Sequence, residues 1–504
     1  MKNYTVKEGS TGILELIDEV GNISFFQPDC DLDKTRELLY KFYNLKTNKG
    51  KLVKESYQYN DIDWFPTTVS RLYWHYFYSY IKYQDLIEKY ISGQINFQFE
   101  RNAKYNNFHD LINQIDSKNN QSFIRIILKI IQRYLVPLRN KLITRKNGDL
   151  LLYSYSINDF RTKEITKEIS KDYQITFLAP VTTKHLFKYF FNRDYFIIAT
   201  FYSQETIGCS LSESHGRVFQ GAIDFANRCV SENITNHSIY KDCLKKDYKL
   251  FLGIDDANWV YPILYAAQDL GIRTLGFQHG AYQKRHEAYF LSGIDNYRWY
   301  DNVIVWGKFW KEIIHKNTDL FEDSFHIIGS NKHQYDYTKI TLDKTEKSVL
   351  IPYEFSSDTQ AIGEYIKMFI DKGYKIYFKP RIDDPLQDQI DAYMLGKYED
   401  KIHVMEIINP ENMSKIDIVA GTFTTLLYEL LPYNKPLWIL ETSMKLSYDM
   451  IDHGFASLFK LEDFANIDIK FERDISKKIA INTEYLFGEK SLSSILDTYI
   501  IDKL

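Results

Sequence analysis

Residues 251–282 read FLGIDDANWVYPILYAAQDLGIRTLGFQHGAY. An apolar run of strand length closes at Ile254, a helical segment runs from Trp259 to Gly271, and a second short run, IRTLGFQ, ends at Gln278. Strand, helix and strand in that order form the unit of a parallel α/β sheet. Its strands are buried on both faces and read as unbroken apolar runs. Working outward, DLLLYSYS, YQITFLAP, DYFIIAT and YKLFLGI precede this unit and NVIVWG and FHIIGS follow it, most of them separated by helix-like segments. A second series comprises SVLIPYE, YKIYFKP, IHVMEI, IDIVAG and PLWILE. The polar stretch at Ser330–Lys347, which lacks apolar periodicity, divides the two series.

The predicted fold class is therefore α/β, with two Rossmann-like lobes facing a cleft. The first lobe is expected over 149–335 and the second over 345–480, followed by C-terminal helices over 481–504. Residues 1–148 read as a helical N-terminal elaboration with a short β-rich start. Within it, Ser70–Tyr90 is apolar nearly all round and reads as a buried helix whose aromatics belong to the core.

Bulk composition narrows the function classes. A chain of 504 residues exceeds one hydrophobic core, and a net charge of −4 gives no global attraction for nucleic acid. Cys30, Cys209, Cys229 and Cys243 form no C-x-x-C pair, so core thiols in a reducing, cytoplasmic compartment are expected. The N-terminus lacks the pattern of a signal peptide. The longest apolar run, Ser122–Leu138, is interrupted by Arg125, Lys129 and Arg133. Those cations recur every fourth residue and read first as a solvated face. The alternative is a stripe resting peripherally on the inner membrane and its lipid-linked glycan. No Walker A, G-x-G-x-x-G or G-x-S-x-G sequence is present, and neither a His-Cys ligand set nor the D-x-D at Asp61–Asp63 suits a metal. No metal and no cofactor are expected.

Ligands of open parallel sheets bind at the carboxyl ends of strands, where four polar clusters fall. Asp255 and Asp256 stand at a helix start, as an N-cap or as a general base for an acceptor hydroxyl. Gln278, His279 and Gly280, followed by Lys284 and Arg285, make a local cationic loop suited to an acceptor or a phosphate. Lys379 and Arg381 flank Pro380 in a turn that presents two cations to phosphate. Gly421, Thr422, Thr424 and Thr425 open a helix whose N–H groups suit an anion, and Glu429, one turn on, suits a ribose diol.

Over about 250–450, Q-H-G, NVIVWGKFW, HIIGS and the Gly-Thr helix start resemble bacterial surface-carbohydrate and capsule glycosyltransferases of the glycosyltransferase-B fold. Their relatives include capsule Kdo transferases, polysialyltransferases and teichoic-acid glycerophosphate transferases. The resemblance implies metal-independent, usually inverting transfer from a nucleotide-sugar donor to a glycan hydroxyl. Asp255 or Asp256 would be the base, with His279 on acceptor or phosphate. Lys379 and Arg381 would hold the leaving phosphate, with the Gly-Thr cluster and Glu429 on the nucleotide. Several CMP-sialic acid and Kdo enzymes carry His-Pro where this chain has Lys379-Pro380. Lysine supplies charge but is a poorer proton donor near neutral pH. The donor thus stays open between a CMP-ulosonic acid and a nucleotide-diphosphate sugar. A polyol-phosphate transferase, a nucleotide-sugar epimerase and a non-catalytic glycan-assembly scaffold are the competing readings.

Overall fold

A computed structural model describes residues 2–9, 12–100, 107–116, 123–144, 149–153, 166–180 except 168, 189–199, 208–244, 248–254, 260–317, 325–327, 347–354, 358–381, 385–476 except 394, and 483–488. Within 260–317, residues 279, 287–290, 292 and 295–297 are excepted. The side chains of 123–132 also lie outside the description.

Four strands form an N-terminal sheet: β1 (Lys2–Glu8), β2 (Leu14–Asp18), β3 (Ile23–Phe26) and β4 (Ile95–Phe99). The order is β3-β2-β1-β4, with β4 parallel to β1 and the others antiparallel. The helical reading of this region passed over β4. Of its five residues, INFQF, only Ile95 and Phe97 are buried, a two-residue period too short to stand out between helices. Helix α1 (Leu32–Tyr43), the aromatic segment beyond it and two further helices, Gln84–Ile91 and Asn107–Ile115, pack with this sheet. Leu72, Tyr73, Tyr76 and Phe77 there are fully buried on a stretch wound to π-helical pitch. Helix α2 (Phe123–Ile143) leads into the first lobe.

The first lobe contains β5 (Leu150–Tyr153), β6 (Ile175–Pro180), β7 (Tyr195–Ile198), the long helix α3 (Gly216–Cys243), β8 (Leu250–Ile254), α4 (Tyr261–Asp269), β9 (Arg273–Phe277), β10 (Asn302–Val305), α5 (Lys308–Asn317) and β11 (Phe325–Ile327). Every residue of β5 and β8 is buried, and the two strands lie side by side at the centre. The seven-stranded parallel sheet has the order β11-β10-β9-β8-β5-β6-β7. The chain leaves from the middle, reaches the β7 edge and returns along α3, so the switch point lies between β5 and β8.

The second lobe contains β12 (Ser348–Pro352), α6 (Thr359–Asp371), β13 (Lys375–Lys379), β14 (Ile402–Val404), β15 (Ile418–Gly421), α7 (Thr425–Leu430), β16 (Leu437–Leu440) and β17 (Ser457–Phe459). Its six-stranded parallel sheet runs β14-β13-β12-β15-β16-β17, with the switch point between β12 and β15. Two parallel sheets with flanking helices are the architecture that the apolar runs implied.

The N-terminal region shares one core with the first lobe and grips α3 by polar contacts. Tyr57 donates to Asn227 (2.8 Å), Asn233 to Thr67 (2.8 Å) and Tyr76 to the Val218 carbonyl (2.6 Å). The short helix α8 (Thr483–Phe487) packs on α5, where the Trp310 indole donates to the Leu486 carbonyl at 2.8 Å. The lobes meet through aromatics: Trp310 lies 5.0 Å from the Tyr428 ring and Phe309 lies 5.3 Å from Phe455.

One sequence feature finds its cause here. Gly253 of β8 and Gly276 of β9 are register partners, and Tyr300 lies across both. A Cβ at Gly253 would stand 2.2 Å from the Tyr300 hydroxyl, and one at Gly276 would stand 2.6 Å from a ring carbon. The hydroxyl donates to the Ile254 carbonyl at 3.1 Å, so the ring has no easy retreat. Gly276→Ala should therefore cost about 1–3 kcal/mol through overpacking and lower the melting temperature in a thermal denaturation scan. An unchanged melting temperature would mean that Tyr300 does not constrain these strands.

Candidate active site

Three adjacent strands of the second lobe, β13, β12 and β15, end together at the switch point. Immediately past β12, Glu354 is 1% exposed. Its carboxylate accepts from the Thr422 amide (2.8 Å), the Phe423 amide (3.1 Å), the Thr424 amide (3.2 Å) and the Thr422 hydroxyl. Burial pushes the Glu354 carboxyl up, and these donors oppose the shift. Gly421 is glycine for the same reason: a Cβ there would approach Glu354 Oε1 to 2.8 Å.

The amides of the Gly-Thr helix start, expected to receive the anion of a ligand, receive an internal carboxylate. Thr422 is committed to Glu354, and Thr424 caps α7 by accepting from Leu426 N at 3.3 Å. Thr425 accepts from Ala281 N of the first lobe at 3.1 Å. Glu429 lies one turn on, half-buried. Glu354 escaped the sequence reading, although an acid two residues past the central strand SVLIP was a visible signal.

Lys379 ends β13, where its carbonyl accepts from Tyr353 N at 2.9 Å, so its backbone adjoins the Glu354 segment. The half-buried ammonium donates to the Pro380 carbonyl at 2.8 Å. Burial draws its pKa below the usual lysine range, with Glu406 opposing. Arg381 is exposed, and its backbone is pinned at both ends by the buried Gln389 amide (2.8 and 2.9 Å). That Gln389 holds the K-P-R turn was not legible, because it arrives from a helix eight residues on.

On the first lobe, Asp255, Asp256 and His279 lie outside the described residues. Ile254, which precedes the acids, ends β8 at that lobe's switch point. Gln278 is buried with its side chain used internally: it donates to the Gly280 carbonyl (2.8 Å) and accepts from Trp306 N (2.9 Å). Both ends of its side-chain amide are thus used within the chain. Lys284 is exposed, while its amide donates to the buried Asp449. The Arg285 guanidinium pairs with Asp33 of α1 at 2.9 Å and stands 3.9 Å from Asp449. The cationic loop is thereby shared between two acids from other parts of the chain. Burial raises the Asp449 carboxyl, and Arg285 and the Lys284 amide restrain it.

The structure brings two of the predicted clusters together. Besides the Ala281–Thr425 bond, the Gln283 amide donates to the Phe423 carbonyl and to Ser447, both at 2.9 Å. The loop after β9 and the turn after β15 therefore form one seam at the carboxyl ends of both sheets. Among the described residues, no three His, Cys, Asp or Glu side chains form a metal ligand set.

No family model matches the chain. It is 22% identical over 506 aligned residues to an uncharacterized protein of Methanocaldococcus jannaschii, covering 86% of this chain and 91% of that one. Among solved structures it is similar to MurG of Acinetobacter baumannii, at 13% identity and a TM-score of 0.43 over 70% of this chain and 99% of that one. It is also similar to UDP-GlcNAc 2-epimerase from Neisseria meningitidis bound to UDP-GlcNAc (14%, TM-score 0.43, 70% and 99%). The wall teichoic acid polymerase TagF follows at 9% and 0.38, over 78% and 97%. Likeness at this level carries no substrate or reaction to this chain.

Glu354→Ala removes the occupant of a seat lined by three amides and leaves them unpaired. It should destabilise the protein by about 1–3 kcal/mol. Millimolar inorganic phosphate should then raise the melting temperature of the variant more than that of the parent. Equal phosphate responses would mean that the vacated amides do not form an anion site.

Proposed function

We propose that the protein is a glycosyltransferase that moves a sugar from a nucleotide-activated donor to a hydroxyl of a bacterial surface glycan, inverting and without a metal ion. The observation that carries this reading is the seam. The loop that follows Q-H-G and the Gly-Thr turn of the other lobe are bonded at the carboxyl ends of two parallel sheets, where ligands of such sheets bind. The resemblance in residues 250–450 supplies the reaction class.

In this reading Asp255 or Asp256 takes the proton from the acceptor hydroxyl as its oxygen attacks the anomeric carbon. The bond from that carbon to the phosphate oxygen breaks, and the nucleotide leaves with the negative charge. Lys379 and Arg381 receive that charge, the former from a half-buried position where its field is less screened. His279 contacts the acceptor or the departing phosphate, and Glu429 serves the ribose. The turn Gly421–Thr425 needs one revision from its sequence-based role. With its amides held by Glu354, it acts as a rigid wall rather than as the principal phosphate cradle. A polyol-phosphate transferase or an epimerase would use the same cleft: CDP binding points to the former, and conversion of the nucleotide sugar without any acceptor points to the latter.

A thermal-shift screen against CMP, CDP, UDP, GDP, dTDP and ADP tests the reading. A nucleotide at about 100 times its Kd adds about 2.7 kcal/mol of stability. One nucleotide should raise the melting temperature, and Lys379→Ala should weaken that binding about tenfold or more. CMP would point to an ulosonic acid donor, and a diphosphate to a hexose or, for CDP, a polyol phosphate. No shift with any of the six, in folded protein, would favour the non-catalytic scaffold.

A further inference from the structure

The N-terminal region meets the second lobe around a cavity of about 250 Å³, between the segment after β3 and the start of α6. Sites that enclose a whole drug-sized ligand measure roughly 300–1,000 Å³, so this one admits a single ring rather than a nucleotide. Ile13 and Pro28 line it with apolar surface, and Lys82, Asp358, Gln360 and Glu364 with polar groups.

The two charged groups nearest its floor are fixed in place and not used up. Lys82 is partly buried, with its ammonium 5.7 and 5.6 Å from the ring centres of Tyr78 and Tyr83. Its carbonyl accepts from Asp29 N at 3.1 Å, which holds the backbone. Among the described residues no carboxylate pairs with this ammonium. On the second lobe Asp358 caps α6, one oxygen accepting from Ala361 N at 3.1 Å, so the helix start is no vacant anion seat. Its second oxygen has no hydrogen bond among the described residues. Burial raises the Asp358 carboxyl, the Ala361 amide opposes, and Glu364 and Asp29 add to the rise. Between the two lies Cys30, whose buried thiol accepts from the Tyr78 hydroxyl at 3.3 Å.

The balance of donors and acceptors selects the ligand. An ammonium only donates, and a carboxylate only accepts. An anion would satisfy Lys82 and be repelled by Asp358 and Glu364, while an amine would do the reverse. A neutral sugar serves both, because each hydroxyl donates one hydrogen bond and accepts others. Gln360, partly exposed, offers a donor and an acceptor in one amide, and Ile13 and Pro28 suit the C–H face of a ring.

We propose that this cavity binds one neutral sugar unit of a glycan, with Lys82 and Asp358 on its hydroxyls. The inference rests on the glycan part of the proposed function and is independent of the transfer step. It gives the N-terminal region a role in choosing the glycan chain.

Saturation-transfer difference NMR on the full chain tests this. The probes are the methyl glycosides of glucose, galactose, mannose and N-acetylglucosamine, with that of glucuronic acid as the anionic control. At least one neutral glycoside should receive saturation at millimolar concentration, and the glucuronide should not. Lys82→Met keeps the stem on the tyrosine rings, removes the ammonium and should weaken that binding about tenfold or more. Glu364→Ala, at an exposed site, should weaken it about threefold with the melting temperature unchanged, and it carries the test if Lys82→Met unfolds. Saturation of none of the four, saturation of the glucuronide alone, or equal binding by parent and variants overturns the proposal. Sugar binding alongside a failed nucleotide screen would overturn the transferase reading alone. A nucleotide shift without sugar binding would overturn the cavity assignment alone.

Discussion

The second lobe turns on a single buried carboxylate. Glu354 leaves the central strand β12 and takes three consecutive amides and a hydroxyl from the turn after β15. A buried carboxylate is tolerated only when its oxygens are saturated with donors, and helix-start amides are tolerated only when something negative meets them. Each solves the cost of the other. The bond set also closes the switch point, where the chain reverses its progress across the sheet and where a ligand would approach. The shape of any donor pocket here therefore depends on that internal anion.

From this turn the constraint passes to the other lobe. Phe423 and Thr425, on either side of the Thr424 cap, bind Gln283 and Ala281. The same loop reaches Asp449 through Lys284 and Arg285, and Asp33 of the N-terminal region through Arg285. Three parts of the chain thus converge on Ala281–Arg285 in the loop after β9. A partly exposed ion pair such as Arg285–Asp33 adds little stability by itself. Its consequence is positional, because it ties the orientation of the loop to the N-terminal region.

Much of the architecture was legible in particular residues. LLLY at 150–153 and LFLGI at 250–254 are apolar at every position, which only a strand buried on both faces requires, and they became the central pair. The strand ends carried the polar clusters because loops there escape the sheet's packing demands. Lys379 and Arg381, and the Gly-Thr turn, accordingly occupy the ends of the two strands that flank β12. INFQF at 95–99 was not legible, since five residues amid helices carry too little period to register.

By itself, the sequence determined periodicity, and with it the two parallel sheets and the places where loops meet solvent, because burial acts on each segment locally. Only the tertiary structure decided partnership. That Glu354 rather than a ligand meets the Thr422–Thr424 amides, that Tyr300 requires Gly253 and Gly276 to be bare, and that Lys82 and Asp358 line one cavity are facts about residues dozens of positions apart. Such pairs leave no mark on local pattern, since hydrogen bonding and steric exclusion depend on distance in space and the chain sets that distance only when it folds.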